Sequence, residues 1–265
     1  MGDRFKLDYI SYDSILDQID NINQGDLVYV ISDVLELAKI ARNNGEKFNA
    51  SNFLSTLMHK VGEEGTVVVP TFNWDFCEGK TFDYNKTPGK TGALGNAALK
   101  DERFKRTKHP TYSFAVCGRE QQKICSIDTE DSFGENTVFG YLYRNNAKAL
   151  VIGLNALEGL TMVHYVEQVI GVPYRYFKTF EGKYIDEQGT ERKKRASMYV
   201  RDLNIDPEED MEHLSQILED LNVSRTKIIN DIPFRVVLLK QTCEIVKIDI
   251  ELNGSKNLYK FGDHA

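Results

Sequence analysis

Four short apolar runs constrain the fold of this chain more than any other feature: "DLVYVIS" (26–32), "GTVVVPTF" (65–72), "SFAVCG" (113–118) and "KALVIGL" (148–154). Each lacks polar alternation, as strands buried on both faces do in parallel sheets covered by helices, and the second is a β-branched run. Pro70 stops the second run. Between the first two, "NASNFLSTLMHKVG" (49–62) reads as an amphipathic helix with Asn49 or Ser51 as its cap. Further upstream, "YDSILDQIDNI" spaces Ile15, Leu16, Ile19 and Ile22 at helical intervals. Segments of helical character follow the later runs too, so residues 1 to 170 read as one α/β layered body with a parallel sheet.

After that point the pattern changes. "KYIDEQGTERKKRASMYV" resembles a hairpin turning at Gly189. "DPEEDMEHLSQILEDLN" reads as a helix with Asp206 as N-cap and Pro207 in the first turn. "FRVVLLK" and "CEIVKIDIEL" read as closing strands. With no internal repeat or linker, the expectation is a single domain over residues 1–265. Its core spans about 1–180, and a C-terminal α+β elaboration spans about 181–265.

Composition narrows the function classes. A chain of 265 residues with 41% hydrophobic and 28% charged residues can bury a sizeable core. A net charge of −7 leaves no need for a phosphate-tracking basic face and argues against a nucleic-acid partner. No apolar run approaches the roughly 18 residues of a membrane span, and "MGDRFKLDYISYDS" lacks the features of a signal or transit peptide. These readings place the protein in the cytoplasm with no membrane partner. Cys77, Cys117, Cys125 and Cys243 are scattered without a CxxC pair, which favours reduced thiols over a disulfide frame or a zinc site.

Several stretches carry candidate chemistry. "TPGKTGALG" copies the end of a phosphate loop at Gly89, Lys90 and Thr91, but a Walker-A loop needs glycine where Tyr84 stands. What survives is a helix N-terminus at Thr91 to Gly95, either an ordinary helix start or a phosphate site. His109 precedes a proline and reads as an extended residue at a loop lip. "FNWDFCEG" puts Trp74, Asp75 and Glu78 just past a strand end, where α/β proteins keep ligand sites. In "GLTMVHYVEQVIGVPYR" (159–175), His164 and Glu167 are three apart. On a helix they share a face, so the carboxylate can hold one imidazole nitrogen and leave the other free. One His and one Glu supply at most two metal ligands, and no HExxH supplies the rest, so no metal is expected. By spacing alone, a buried structural pair and a catalytic pair both remain open.

Five segments read together add a resemblance. "GEEGTVVVPTF", "FDYNKTPGKTGAL", "RTKHPTYSFAVCG", "FGENTVFGYLY" and "LVIGLNALEGLTMVHYVEQ" occur in the order and approximate spacing of the aminoglycoside 3-N-acetyltransferase-like family, over roughly residues 25 to 180. The resemblance implies a three-layer α/β/α fold with a mostly parallel central sheet. It also implies acetyl-CoA or another acyl-CoA as co-substrate, with direct transfer to an amine and no acyl-enzyme. His164 matches the family's general base and Glu167 its partner. Coenzyme contacts are expected at Ser32, Lys90, Thr91, His109 and Ser113, and oxyanion donors at Ser32 or Thr161. Trp74, Asp75, Arg175 and Tyr176 are substrate-binding candidates.

Departures from the family pattern leave the acyl-donor end recognisable and open the identity of the amine acceptor. The first strand ends "ISDV" where the family has "HSSL", "TPGKTGAL" replaces "TPSRMGAL", and the segment before His164 is one residue longer. A basic cluster of Arg175, Lys178, Lys183, Arg192, Lys193, Lys194 and Arg195 favours a nucleotide-linked amino sugar of surface-polysaccharide synthesis over a polycationic aminoglycoside. A non-catalytic coenzyme A-binding relative is the alternative from another class. The expected partners are the amino sugar and acyl-CoA, with a homo-oligomer left open.

Overall fold

All four apolar runs become strands of one sheet in the computed structural model, which describes residues 9–154, 157, 159–205 and 207–261. In chain order the elements begin with β1 (Leu27–Ser32), α1 (Leu35–Asn43), α2 (Ala50–Val61), β2 (Thr66–Pro70), β3 (Phe82–Asp83), α3 (Ala93–Ala98) and β4 (Lys105–Arg106). The middle holds β5 (Phe114–Gly118), α4 (Gln121–Ser126), α5 (Val138–Arg144), β6 (Lys148–Ile152) and α6 (Met162–Ile170). The chain closes through β7 (Arg175–Ile185), β8 (Glu191–Arg201), β9 (Glu208–Glu209), α7 (Glu212–Asp220), β10 (Ser224–Ile229), β11 (Ile232–Leu238), α8 (Leu239–Asn253) and β12 (Tyr259–Lys260).

The central sheet has the order β10-β11-β6-β1-β2-β5-β4. β1 is parallel to both of its neighbours, while β5 and β11 run antiparallel outside them and β4 and β10 reverse again. Five of the seven strands therefore point the same way, although only the middle three are parallel neighbours. Side-chain alternation divides the core in two. Tyr29, Val68, Val116 and Val151 face α5, α6, α7 and α8, whereas Val30, Val67, Ala115 and Leu150 face α1, α2 and α3. This is the three-layer α/β/α arrangement, built from strands that are apolar on both sides.

The helix at 50–61 starts as expected, with Asn49 Oδ1 accepting from the backbone N–H of Ser51 and Asn52. Three expectations change. "YDSILDQIDNI" forms only a 3-10 turn, Ile15–Gln18, because the chain turns extended at Ile19; its four apolar residues are nevertheless buried. "CEIVKIDIEL" is helix, not strand: it continues α8, where Leu239, Thr242, Cys243, Val246 and Asp249 form the buried stripe and Ile248 and Leu252 stay exposed. Packing at helical spacing overrides the β-like alternation of that run. The acidic helix begins at Glu212, after β9, with Asp210 accepting from the Glu212 N–H. Asp206, the expected cap, lies outside the described residues.

The hairpin turns at Gly189, whose φ is 82°, but it is longer than expected and runs back to Arg175. Together with β3 it makes a three-stranded sheet at the side of the body. β10 and β11 instead enter the main sheet, so the C-terminal third is woven into the core.

Candidate active site

The carboxyl ends of the parallel strands β6, β1 and β2 release three loops onto one edge, the usual position of ligand sites in α/β sheets. Ser32 ends β1 half-buried, with Asp33 exposed beside it. The loop after β2 leads to Trp74 and Asp75, and the loop after β6 leads into α6.

The loop carrying Lys90 is pressed against the end of β2. A Cβ on Gly95 would lie 2.4 Å from the Pro70 carbonyl oxygen, so only glycine lets α3 approach this closely. Thr91 donates its hydroxyl to the same carbonyl, and Asn96 clasps the loop by accepting from Gly89 N–H and donating to Gly89 O and Gly92 O. Lys90 reaches Asp75 at 2.7 Å, and Lys80 reaches the same oxygen at 2.8 Å. The two lysines hold the Asp75 carboxyl below its usual range through these hydrogen bonds. Lys90 and Asp75 are thus brought together, but as each other's partner.

Two residues expected to meet the coenzyme lie inside. Ser113 is fully buried, donating to Thr71 O and accepting from Arg106 Nε. Arg106, whose role the sequence reading missed, also donates to Tyr84 O and Thr87 O with its guanidinium over the Phe82 ring. It braces the two loops beside the site from behind. His109 is buried too, not at a loop lip. Its Nδ1 accepts from the Tyr112 and Thr111 N–H groups while Nε2 donates to Glu130 O. Burial pushes its pKa down to about 4, so it is a neutral structural histidine. Ser113 and His109 are thus buried and engaged with backbone partners.

His164 and Glu167 do meet. Both lie on α6, and His164 Nδ1 is 2.7 Å from Glu167 Oε2. The imidazole is 23% exposed and the carboxylate 0%. Phe133 packs edge-on against the imidazole with centroids 5.3 Å apart, and rings continue outward through Tyr112 to Trp74, which is 37% exposed. Thr161 stands at the start of α6 without a side-chain capping bond and donates its hydroxyl to Gly159 O at 3.2 Å.

Glu167 has further partners. Tyr259 donates its hydroxyl to Oε1 at 2.8 Å. Arg175 Nε lies 2.8 Å from Oε2, an ion pair at contact distance without hydrogen-bond geometry, while its Nη2 donates to the Tyr259 hydroxyl at 3.0 Å. Burial alone would raise the carboxyl, but the His164 bond, the Arg175 charge and the Tyr259 bond outweigh it and keep Glu167 below the usual carboxylate range. Arg175, expected to contact substrate, is turned inward instead. Tyr259 had no signal in the sequence, since 92 residues separate it from Glu167.

The rest of the basic cluster is also engaged. Lys183 pairs with Glu191, Arg192 and Lys194 with Asp128, Lys193 with Glu181 and Arg195 with Glu130, and Lys178 sits over the Phe180 ring. Tyr176 stays exposed. Chemically, the edge offers a partly exposed imidazole fixed at Nδ1 by a buried carboxylate, with no partner on Nε2 among the described residues. Hydroxyls of Ser32 and Thr161 lie at the same ends of the strands.

Residues 37–248 match the family described as aminoglycoside 3-N-acetyltransferase. No curated protein sequence matches the chain. Among solved structures, aminoglycoside acetyltransferase AAC(3)-Xa is similar at 16% identity, with 91% of this chain and 93% of that one covered and a TM-score of 0.75. The AAC-IIIb binary complex with CoASH covers 97% and 99% at 16% identity and a TM-score of 0.74. The YokD protein from Bacillus subtilis covers 93% and 94% at 21% identity and a TM-score of 0.73.

Proposed function

This chain belongs to the aminoglycoside 3-N-acetyltransferase family, and from that premise we propose that it moves an acyl group from acyl-CoA directly to the primary amine of an amino sugar. The observation that carries the reading is the His164–Glu167 contact at 2.7 Å, with the carboxylate buried and the imidazole open to the strand-end edge. In the proposed reaction the neutral amine attacks the thioester carbonyl, and His164 Nε2 takes its proton. The tetrahedral oxyanion is met by the Ser32 or Thr161 hydroxyl or by backbone N–H groups. When the C–S bond breaks, the coenzyme thiolate leaves and takes up the proton from the imidazolium. The Lys90–Thr91 loop is the proposed seat of the coenzyme phosphates, with Lys90 exchanging Asp75 for phosphate on binding.

Direct transfer suits the thiols. Burial pushes Cys77 up to about 11 and Cys125 up to about 12, and it also raises Cys117 and Cys243. None is activated for an acyl-enzyme.

For the acceptor, the internal pairing of the basic cluster removes the charge argument for a pyrophosphate. What still supports a nucleotide-linked amino sugar is aromatic surface, the exposed rings of Trp74 and Tyr176, with Trp74 joined through Tyr112 and Phe133 to His164. The test is thiol release from acetyl-CoA and longer acyl-CoAs with free, aminoglycosidic and nucleotide-linked amino sugars. Turnover confined to nucleotide-linked amines, with inhibition by nucleoside diphosphates, is expected. Preferred turnover of an aminoglycoside replaces that acceptor, and no thiol release with any amine overturns the enzymatic reading.

A further inference from the structure

A lone buried carboxylate against an imidazole favours the imidazolium, and a protonated base cannot take a proton from an amine. Here the carboxylate is shared. Glu167 receives the Tyr259 hydroxyl on Oε1 and the Arg175 guanidinium beside Oε2, and Arg175 and Tyr259 are bonded to each other. Arg175 is fixed in turn by donating Nη1 to Tyr199 O at 3.2 Å. Tyr199 donates its hydroxyl to Val172 O, which ties β8 to the segment just after α6.

We propose that Arg175 and Tyr259 are positioning residues that divide the charge of Glu167, so that its carboxylate orients His164 at Nδ1 without trapping the ring as an imidazolium. This rests on His164 acting as the base. The charged and titratable groups around the pair are Arg175 on β7, Tyr199 on β8, Tyr174 between α6 and β7, and Tyr259 on β12. Tyr174 bonds Ser255 Oγ at 2.9 Å and also interacts with Glu167; burial, and then the Glu167 charge, raise its phenol. Asp131, on the segment carrying Phe133, is engaged by Gln168 Nε2 at 3.0 Å. Arg175 is therefore the cation of this set. Its removal leaves Glu167 with neutral partners only, so the carboxylate holds a proton on His164 more strongly.

The site is assembled from distant segments, since the dyad lies on one helix, Arg175 opens the hairpin and Tyr259 belongs to the last short strand. The base is correctly tuned only when β12 has docked.

The experiment is a histidine-labelled NMR titration of the full chain, with the His164 signal assigned by its loss in His164→Ala, alongside the thiol-release rate. In Arg175→Gln the proton affinity of His164 rises about tenfold or more, because a nearby cation is lost and the carboxylate is freed. Arg175→Lys restores most of the original midpoint. Tyr259→Phe, which deletes one hydroxyl, moves the midpoint in the same direction by less and lowers turnover by about tenfold. An unchanged or lowered midpoint in folded Arg175→Gln overturns the proposal. If that variant does not fold, an unchanged midpoint in Tyr259→Phe overturns it. The titration needs no substrate, so it stands even if thiol release shows that the enzymatic reading is wrong.

Discussion

Arg175 and Arg195 belong to the same hairpin and to the same basic cluster in sequence, yet they occupy opposite physical situations. Arg175 has a side chain 9% exposed against a fully buried Glu167, at 2.8 Å. Arg195 is 58% exposed and 3.3 Å from a half-open Glu130. Inside, the charges have lost their water and depend on each other and on Tyr259. Outside, water and salt screen whatever the pair contributes. The difference separates a candidate site tied together by desolvated charges from a ribbon whose many charges are nearly interchangeable.

That contrast breaks if equal substitutions at its two ends cost the same. Arg175→Met leaves Glu167 buried with its cation gone, and its unfolding free energy in urea should fall by about 3–5 kcal/mol. Arg195→Met should change it by no more than about 1 kcal/mol, with the small effect shrinking further in salt. Comparable losses would mean that the buried pair is no more demanding than the surface one.

A second interior group sharpens the contrast by pH. His109 has its folded pKa lowered to about 4 from 6.5 by burial, so between those values the unfolded chain binds the proton more readily. Its neutral form therefore contributes stability fully above about 6.5, and that contribution is lost as pH falls toward 4, up to roughly 3 kcal/mol. Urea midpoints measured across this window should fall with pH, and His109→Asn should flatten the slope. A slope unchanged in that variant would assign the acid sensitivity elsewhere. The smallest effect is expected at the thiols: serine at Cys77, Cys117 or Cys125 should leave turnover broadly intact, and acyl label found on any of them would contradict direct transfer.

What the sequence made legible follows from which interactions are local. The four buried strands, the Asn49 cap and the Gly189 turn could be read because burial on both faces, a cap and a positive φ each leave a mark within a few residues. His164 and Glu167 were legible because a helix brings residues three apart together. Arg175 was visible as a charge, but its direction was not, since strand alternation does not say which face meets α6. Tyr259 and Arg106 were invisible, because their partners are brought to them only by the tertiary fold. "CEIVKIDIEL" was misread for a related reason: its alternation is local, whereas the stripe it buries as α8 is set by α5 and α6.

The central claim is that His164 is the base of an acyl transfer, and the most direct measurement compares His164→Ala with the parent chain under saturating acetyl-CoA and the best acceptor from the amine panel. A loss in kcat of about 10²-fold or more is expected with acetyl-CoA affinity little changed, since a general base acts on the amine in the transition state and not on donor binding. A folded His164→Ala that turns over at the parent rate contradicts that claim.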